Sequence, residues 1–318
     1  MIGGTPAEMD ETALMKISVP ATSANLGSGF DSLGLAVNLY NNVFIEESDT
    51  IDIASLDDIP VPTGGDNLIF TAAQSLFSLC GKRLKGLKIR QENNIPMTRG
   101  LGSSSACIIA GLVGANELLN RPLNTDALVN LAAEIEGHPD NTTPALLGGL
   151  VTAVMEERRV YYIKQEITGS IRLYAFIPDF ELSTEFARGV LPETVSRKDA
   201  VHNLSRAALM SASLLEGKYE NLRVAVNDRL HQPYRLGFIG GANEVFEMSY
   251  SLGAYAAFIS GSGSALMAIT GGENTGFEAK ARQALNNMGK AAWRLLPLEI
   301  DNHGAQVIQG GSNLPHLK

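Results

Sequence analysis

Cysteine is almost absent from this chain of 318 residues: there are two, Cys80 and Cys107, and neither lies in a CxxC motif or a Cys/His cluster. Two cysteines cannot build a disulfide framework, and a zinc site of the usual kind needs clustered Cys and His ligands. Free thiols in an apolar sequence context suit a reducing compartment. We therefore expect a cytoplasmic protein without structural zinc.

Basic residues are outnumbered, with 25 Lys and Arg against 34 Asp and Glu and a formal net charge of −9. None of the charge runs is basic, whereas binding to the phosphates of a nucleic acid requires a basic face. These two features together predict that the protein has no nucleic-acid partner.

Long apolar runs are also missing. No stretch reaches about 18 uninterrupted apolar residues, the length that a membrane-spanning helix requires. The first residues are partly acidic and lack the apolar core of a signal peptide. We expect no membrane association and a loose N-terminal lead over residues 1–13. A homodimer is compatible with the sequence, which does not fix the oligomeric state.

What remains is the composition of a folded protein, 45% hydrophobic and 19% charged. Apolar periodicity predicts helices over residues 67–81, 104–119 and 125–136. In the last of these Thr125 is a candidate N-cap and Gly137 a candidate stop. Strands are predicted before and after the turn-rich segment "ATSANLGSGFDS", and a hairpin is predicted around the charged turn "EERR".

A change in composition near residues 165–170, "QEITGS", suggests a domain boundary. We expect one domain over residues 14–168 and a second over residues 169–318. The second half is predicted to contain helices over 200–216 and 219–227, a strand-turn-strand unit in "AAFISGSGSALMAI", and a closing strand in "LPLEIDNHGAQVI".

The segment "PMTRGLGSSSA", residues 96–106, joins a predicted strand to a predicted helix. Gly100 and Gly102 give the backbone freedom and remove Cβ atoms that would block an approaching ligand. The amides of such a turn and the helix N-terminus both favour an anion such as phosphate. The following three serines add hydroxyl donors. The alternative is a small-residue helix start that serves packing alone.

Two common nucleotide motifs do not fit this segment. A Walker A loop requires a lysine after the glycines, and none is present. The dinucleotide fingerprint G-x-G-x-x-G requires a third glycine where this chain has Ser105. A nicotinamide-dependent oxidoreductase is therefore disfavoured.

Residues 96–106 resemble the signature P-x-x-x-G-L-G-S-S-[AS]-A of the GHMP superfamily of galactokinases, homoserine kinases, mevalonate kinases and phosphomevalonate kinases. Two further stretches, "VPATSANLGSGFDSLGLAVNLYN" and "EIEGHPDNTTPALLGG", resemble homoserine kinases in particular, and "ISGSGSALMAI" resembles the third motif of the superfamily. The resemblance runs from about residue 16 to the last strand.

The resemblance implies a two-domain α+β fold. The N-terminal domain would be like domain 2 of ribosomal protein S5, the C-terminal domain would be ferredoxin-like, and the active site would lie in the cleft between them. It also implies transfer of the γ-phosphoryl group of ATP to the side-chain hydroxyl of L-homoserine, a step of threonine biosynthesis. The third motif, residues 260–264, would support the phosphate loop from the other domain.

By the same resemblance, ATP binds the loop with Mg²⁺ as the cofactor. Glu134 matches the family's magnesium carboxylate, although Glu136 competes for this role. A hydroxyl of Ser103 or Ser104 is a candidate second ligand, and Asn67 is either near the adenine or a helix N-cap. The nucleotide-binding residues expected are Asn67, Pro96, Met97, Thr98, Arg99, Gly100, Leu101, Gly102, Ser103, Ser104, Ser105 and Ala106.

For the acceptor, Arg188 and Arg235 resemble the family's carboxylate-binding pair, since a planar guanidinium suits bidentate recognition of a carboxylate. Asp31 resembles the residue that takes the ammonium group, and Asn25 would orient the hydroxyl. Thr184 is expected to assist near Arg188. Without the flanking motifs, a surface ion pair would be the favoured interpretation of either arginine. The alternative for Asn25 is a turn residue whose side chain binds local backbone.

The turn-rich segment "GHPDNTTP" is expected to project into the cleft, with His138 and Asn141 facing the substrate. Asp140 is a candidate general base. The resemblance favours a mechanism without one, in which the hydroxyl loses its proton to the phosphate through a loose transition state.

Two other functions stay open at this point. Another small-molecule kinase of the superfamily would not need two arginines together with Asp31. A non-catalytic nucleotide-binding sensor would be expected to lack the candidate metal and phosphate contacts, which are present here.

Overall fold

The computed structural model describes residues 14–309 and 312–313, so the predicted lead over residues 1–13 lies outside the described part. The strands are β1 Met15–Ala24, β2 Leu33–Ser48, β3 Asp52–Ser55, β4 Gly86–Glu92, β5 Leu150–Glu156, β6 Arg159–Gln165, β7 Ile171–Ile177, β8 Ala256–Ile259, β9 Leu266–Gly271, β10 Arg294–Leu298, β11 Gln306–Gln309 and β12 Ser312–Asn313.

The helices begin with α1 Leu68–Leu79, α2 Ser103–Leu118, α3 Thr125–Glu136, α4 Pro139–Leu147 and α5 Thr184–Gly189. They continue with α6 Arg197–Leu215, α7 Leu222–Ala225, α8 Gln232–Arg235, α9 Ala242–Ser251 and α10 Phe277–Asn287. Two 3₁₀ turns cover Tyr219–Asn221 and Leu236–Phe238. No helix in the described ranges is long and apolar enough to cross a membrane.

The first sheet has the order β12-β11-β1-β2-β4-β3, and β2 also pairs with β5, which pairs with β6. The long strand β2 bends from one partner to another: its first residues pair with β5 and its last residues pair with β4. Alternation places Ile17 and Val43 opposite each other in the core. The β5–β6 hairpin turns at Glu157 and Arg158, which confirms the hairpin predicted around "EERR".

The second sheet has the antiparallel order β10-β7-β9-β8. If the four strands are numbered 1 to 4 in chain order, their order across the sheet is 4-1-3-2. Helices lie in the chain between strands 1 and 2 and between strands 3 and 4. This is the β-α-β-β-α-β arrangement of a ferredoxin-like unit. The α+β fold expected from the sequence is therefore confirmed.

Three local predictions need correction. Helix α3 is capped by Asn124, whose side chain accepts a hydrogen bond from the Ala127 amide, and Thr125 is its first residue. The segment after Gly137 is helical as α4, and Pro139 is compatible with its first position, where no N–H is needed. Residues 219–227 form a 3₁₀ turn followed by the short helix α7 rather than one helix.

The predicted closing strand is two strands in different sheets. Strand β10 pairs with β7 in the second sheet, whereas β11 pairs with β1 in the first. The intervening loop is fixed by the Asp301 carboxylate, which accepts from the amides of His303 and Gly304. The chain therefore returns to the sheet in which it began.

Helices α1 and α2 pack against each other so closely that a side chain is excluded at Gly111. A Cβ atom there would lie 2.3 Å from the carbonyl oxygen of Ile69 and 2.9 Å from the Cβ of Ala72. This approach seats α2, whose N-terminus follows the glycine-rich loop, firmly against α1. Helix α2 is thus held in a fixed position in the core.

We expect Gly111→Ala to destabilise the protein. Alanine favours helix by about 1 kcal/mol over glycine, but overpacking against a backbone oxygen costs about 1–3 kcal/mol and the helix cannot move freely. Urea unfolding should show a net loss of up to about 2 kcal/mol. Gly237→Ala is the control, because no heavy atom lies within 4 Å of its Cβ position. Equal stability of the two variants would contradict this packing.

Candidate active site

A cleft between the two halves of the chain brings together most of the residues that the sequence singled out. It is bounded by the glycine-rich loop, the ends of α3 and α4, the segment after β1, and the loops of the second half. The predicted site residues that line it are Asn25, Asp31, Pro96, Thr98, Arg99, Gly100, Leu101, Gly102, Ser103, Ser104, Ser105, His138, Asn141, Thr184, Arg188 and Arg235.

Four predicted residues do not line the cleft: Glu134, described below, and Met97, Ala106 and Asn67. Met97 is exposed beside it, and Ala106 is buried within α2. Asn67 is the N-cap of α1: its Oδ1 accepts from the amides of Ile69 and Phe70, and its Nδ2 donates to Pro62 and Gln91. Of the two roles considered for Asn67, the structure supports the helix cap.

The loop that precedes α2 needs its glycines. Gly100 and Gly102 have φ values of 72° and 73°, in the left-handed region. A Cβ atom on Gly100 would lie 2.1 Å from the carbonyl oxygen of Ser260, and one on Gly102 would lie 2.1 Å from Thr22 Oγ1. As the N-cap of the 16-residue helix α2, Gly102 also has no side chain to occupy the first-turn amides. The loop is thus shaped to hold an anion.

The second half of the chain braces this loop, as expected for residues 260–264. Ser260 Oγ donates to the Gly100 carbonyl at 2.7 Å, and the Ala265 amide donates to the Arg99 carbonyl at 3.0 Å. The Gly261 amide donates to the Ala24 carbonyl at 3.2 Å. These bonds fix the loop against both β1 and the turn between β8 and β9.

Of the two candidate metal carboxylates, Glu136 is the one in the cleft. Its two carboxylate oxygens accept from Ser104 Oγ and Ser105 Oγ, each at 3.1 Å. Glu134 lies on another face of α3, with Oε1 3.7 Å from Nε of the exposed Arg158. The expected placement of Glu134 in the cleft is therefore corrected. Side chains two residues apart on a helix differ in direction by about 200°, so Glu134 and Glu136 point to different sides of α3.

Helix α4 presents a histidine and an asparagine to the cleft. The Nδ1–H of His138 donates to Asp140 Oδ1 at 2.6 Å. Burial opposes the charged imidazolium, but this bond and the Asp140 charge outweigh it and raise the pKa of His138. Asn141 Oδ1 accepts from Thr22 Oγ1 at 2.8 Å. The Asp140 carboxylate is buried and already bound by a histidine.

The segment after β1 turns sharply, with positive φ at Asn25 (70°), Leu26 (45°) and Asp31 (53°). Asn25 Oδ1 accepts from the Asp31 amide at 3.0 Å, and Asn25 Nδ2 donates to the Gly261 carbonyl at 2.9 Å. Asn25 therefore has the bonds of a turn-stabilising residue while it also lines the cleft. It joins the Asp31 loop to the second half of the chain.

The two predicted acceptor arginines differ in their partners. Arg188 makes a bidentate pair with Asp31, at 2.8 Å and 3.0 Å, and this bond raises the pKa of Arg188. Thr184 begins the same helix and lies 3.2 Å, Oγ1 to Oγ, from Ser262. Asp31 and Arg188 are thus held together by each other, 157 residues apart in sequence.

Arg235 is 2% exposed, and no ion pair involves it in the described part of the chain. Its Nε donates to the Ala187 carbonyl at 3.0 Å, and its Nη1 donates to the Gly261 carbonyl at 3.2 Å and to His231 Nδ1 at 3.1 Å. Burial and the charge of Arg188 lower the pKa of Arg235 to about 10. It stays protonated at neutral pH, so the cleft contains a buried cation without a carboxylate partner.

Phe30 and His231 also build this site, and sequence reasoning missed them. The Phe30 ring stacks on His231 at 5.1 Å and lies 5.9 Å and 5.5 Å from the guanidinium carbons of Arg188 and Arg235. Phe30 directly precedes Asp31 in the motif "ATSANLGSGFDS", so the sequence could have placed it near the acceptor site. His231 had no such signal except its spacing of four from Arg235.

Comparison with known families matches both halves of the chain. The model described as "GHMP kinases N terminal domain" matches residues 67–149, and the one described as "GHMP kinases C terminal" matches residues 210–291. The chain is 46% identical over 299 residues to a homoserine kinase of Clostridium beijerinckii, covering 93% of this chain and 99% of that one. It is 44% identical to a homoserine kinase of Caldicellulosiruptor saccharolyticus, covering 92% and 96% respectively.

Solved structures agree with these relatives. A crystal structure of homoserine kinase from Cytophaga hutchinsonii superposes with a TM-score of 0.83 at 27% identity and covers 96% of this chain and all of that one. A putative homoserine kinase from Listeria monocytogenes superposes with a TM-score of 0.78 at 32% identity, covering 93% and 100%. The chain therefore belongs to the GHMP kinase family, and within it to the homoserine kinases.

Proposed function

We propose that the protein transfers the γ-phosphoryl group of ATP to the side-chain hydroxyl of L-homoserine and so makes O-phospho-L-homoserine for threonine biosynthesis. The observation that carries this proposal is one cleft with three features: a glycine-rich anion loop at a helix N-terminus, a buried unpaired arginine, and a carboxylate beside a second arginine. The first suits a triphosphate, and the other two suit a zwitterionic amino acid.

Acceptor recognition rests on the difference between the two arginines. A buried guanidinium bound only to neutral groups keeps its charge available, so Arg235 attracts a carboxylate strongly. Asp31 and Arg188 satisfy each other until an amino acid supplies an ammonium for the first and a carboxylate for the second. An uncharged alcohol could do neither, and an acid without an amine could not replace the partner of Asp31.

Nucleotide binding rests on the loop of residues 98–105. Its backbone amides and the α2 dipole favour the phosphates, and the serine hydroxyls can donate to phosphate oxygens. The loop is held in place from both halves of the chain, so its donors are oriented before a ligand arrives. Phosphoryl transfer depends chiefly on such positioning and on charge neutralisation.

The residues present fit Mg²⁺. The hydroxyls of Ser104 and Ser105 each lie 3.1 Å from a carboxylate oxygen of Glu136, which gives a group of hard oxygen donors. No group of three or more His, Cys, Asp and Glu side chains that could hold a metal ion occurs in residues 14–309 and 312–313, and a Mg²⁺ ion completed by phosphates and water does not need one. We propose that Glu136, with Ser103 or Ser104, holds the ion, which neutralises phosphate charge when bound.

We also propose that no protein side chain acts as the general base. Asp140 is engaged by His138, and its bond stabilises the protonated form of that histidine. With its Nδ1 bound to Asp140, His138 is proposed to face the transferred group and not to abstract the proton. The acceptor hydroxyl, positioned near Asn25 and Asn141, loses its proton to the phosphate.

The domain limits of 14–168 and 169–318 stay a proposal. Strand β11 lies within the second range but pairs with β1 in the first sheet. The cytoplasmic location is likewise proposed from the free thiols Cys80 and Cys107. The homodimer stays a prediction that is compatible with the sequence but not fixed by it.

A coupled assay of ADP release with L-homoserine, mevalonate, L-serine and L-threonine tests the proposed function. We expect the highest kcat/KM with L-homoserine, because both charged groups and the hydroxyl reach their partners. A preference for mevalonate would identify a different kinase of the family. Nucleotide binding without turnover on any acceptor would favour the sensor.

Arg235→Leu should reduce kcat/KM for L-homoserine, since losing a buried charged pair costs on the order of 2–4 kcal/mol. The KM for ATP should stay close to its original value. Arg158→Leu, at an exposed arginine outside the cleft, is the matched control. Steady-state kinetics with each substrate varied in turn measures these constants. An unchanged kcat/KM for homoserine would exclude Arg235 from the acceptor site.

Glu136→Gln should lower turnover by about tenfold or more and raise the Mg²⁺ concentration needed for half-maximal rate. Glu134→Gln, two residues earlier on the same helix, should change neither, because that carboxylate lies outside the cleft. Titration of Mg²⁺ at fixed ATP compares the two variants. A larger effect at Glu134 would show that α3 is oriented differently in the working enzyme.

A further inference from the structure

His231 occupies a fully buried position between the two acceptor-binding elements. It precedes α8, is 0% exposed, and stacks on Phe30. Its ring touches the Asp31 loop on one side and Arg235 on the other. Nothing in the phosphoryl transfer described above uses it.

The hydrogen bonds of the ring fix its protonation. Nε2 lies 2.6 Å from the Gly27 carbonyl oxygen, which can only accept, so Nε2 carries the proton. Nδ1 lies 3.1 Å from Nη1 of Arg235, which can only donate, so Nδ1 must present its lone pair. The two contacts are compatible only with the neutral Nε2–H tautomer.

The ring therefore links two segments that bind opposite ends of an amino acid. Gly27 belongs to the loop that carries Asp31, the group proposed for the ammonium, and it lies 204 residues from His231 in sequence. A Cβ atom on Gly27 would lie 2.3 Å from the Val226 carbonyl oxygen, so this loop is packed directly against the chain that leads to α8. Arg235, proposed for the carboxylate, lies on the opposite edge of the ring.

We propose that His231 is a positioning residue for the acceptor site, whose neutral ring fixes the Arg235 guanidinium relative to the Asp31 loop and so sets the spacing between carboxylate and ammonium recognition. This inference rests on the proposed function. The ring touches no reacting group, so its loss affects acceptor affinity far more than the chemical step.

Burial is the main cause that favours a neutral His231 ring, while the charged groups around it act in both directions. Arg235 faces Nδ1, and Asp228 Oδ2 lies 3.6 Å from Nε2. The Asp228 carboxylate is taken up by the amides of residues 230–232 and the side chain of Asn203. Asp31 faces the ring from its loop, while burial and Arg235 lower the pKa of His231. The lowered pKa acts in the same direction as the hydrogen bonds, which require the neutral ring.

Two variants separate the two contacts. His231→Gln keeps an amide donor that can reach the Gly27 carbonyl, but it has no acceptor at the Nδ1 position. His231→Asn places an amide oxygen near that position and keeps the acceptor for Arg235. We expect the KM for L-homoserine to rise about tenfold or more in the glutamine variant and clearly less in the asparagine variant. In both variants, kcat and the KM for ATP should stay within about twofold of the wild-type values, because the ring touches neither the reacting groups nor the nucleotide loop.

The control is His303→Gln, at an exposed histidine that does not line the cleft, which should leave both KM values unchanged. A homoserine KM that is unchanged in both His231 variants would overturn the inference, as would an equal rise in the two. If the wild type itself does not phosphorylate L-homoserine, the proposed function fails, and that result is separate from any difference among variants.

A measurement on the wild type keeps the inference testable even if a variant does not fold. Nitrogen-15 NMR of histidine-labelled protein reports which ring nitrogen carries a proton, and substitutions at the other four histidines assign the His231 signals. We expect a neutral Nε2–H ring at pH 7. A protonated ring or an Nδ1–H tautomer would contradict the proposed contact with Arg235.

Discussion

The active cleft depends on a close backbone contact between the loop before α2 and the turn between β8 and β9. Gly100 lies so near the Ser260 carbonyl that no Cβ atom fits between them, and the serine hydroxyl bonds to the Gly100 carbonyl. Each partner belongs to a different half of the chain. The contact therefore determines both the shape of the anion loop and the distance between the nucleotide side and the acceptor side.

Under the proposed function, the cleft offers each charged group of the acceptor a partner of opposite charge. Asp31 and Arg188 neutralise each other, whereas Arg235 is buried with carbonyl groups and a neutral histidine alone. Keeping a guanidinium buried without a carboxylate is unfavourable for folding, and such a group gains most when an anionic ligand arrives. In the proposed acceptor site, the stability given up at this position would be recovered as affinity for the acceptor. The histidine is the part of the arrangement that keeps the cation in place without neutralising it.

Much of the fold and site could be predicted from local sequence. The glycine-rich segment of residues 100–105, the hairpin around "EERR" and the main helices each rely on nearby residues, so their patterns are sufficient. Errors arose where a partner distant in sequence decides the outcome. Residues 294–309 divide between two sheets because β7 and β1 offer separate edges, and the segment after Gly137 is helical because α4 is packed against β1, β2 and β5.

The sequence by itself indicated the family, the glycine-rich loop and the types of side chain that a zwitterionic acceptor needs. Each of these depends on residues that are close together in a short motif. Only the tertiary structure decided which carboxylate faces the loop, because Glu134 and Glu136 differ by a rotation about α3 that motif spacing does not report. It also decided that Asn67 caps a helix, and that His231 connects Gly27 to Arg235. These roles depend on contacts between elements, and a linear pattern of residues carries no direct record of them.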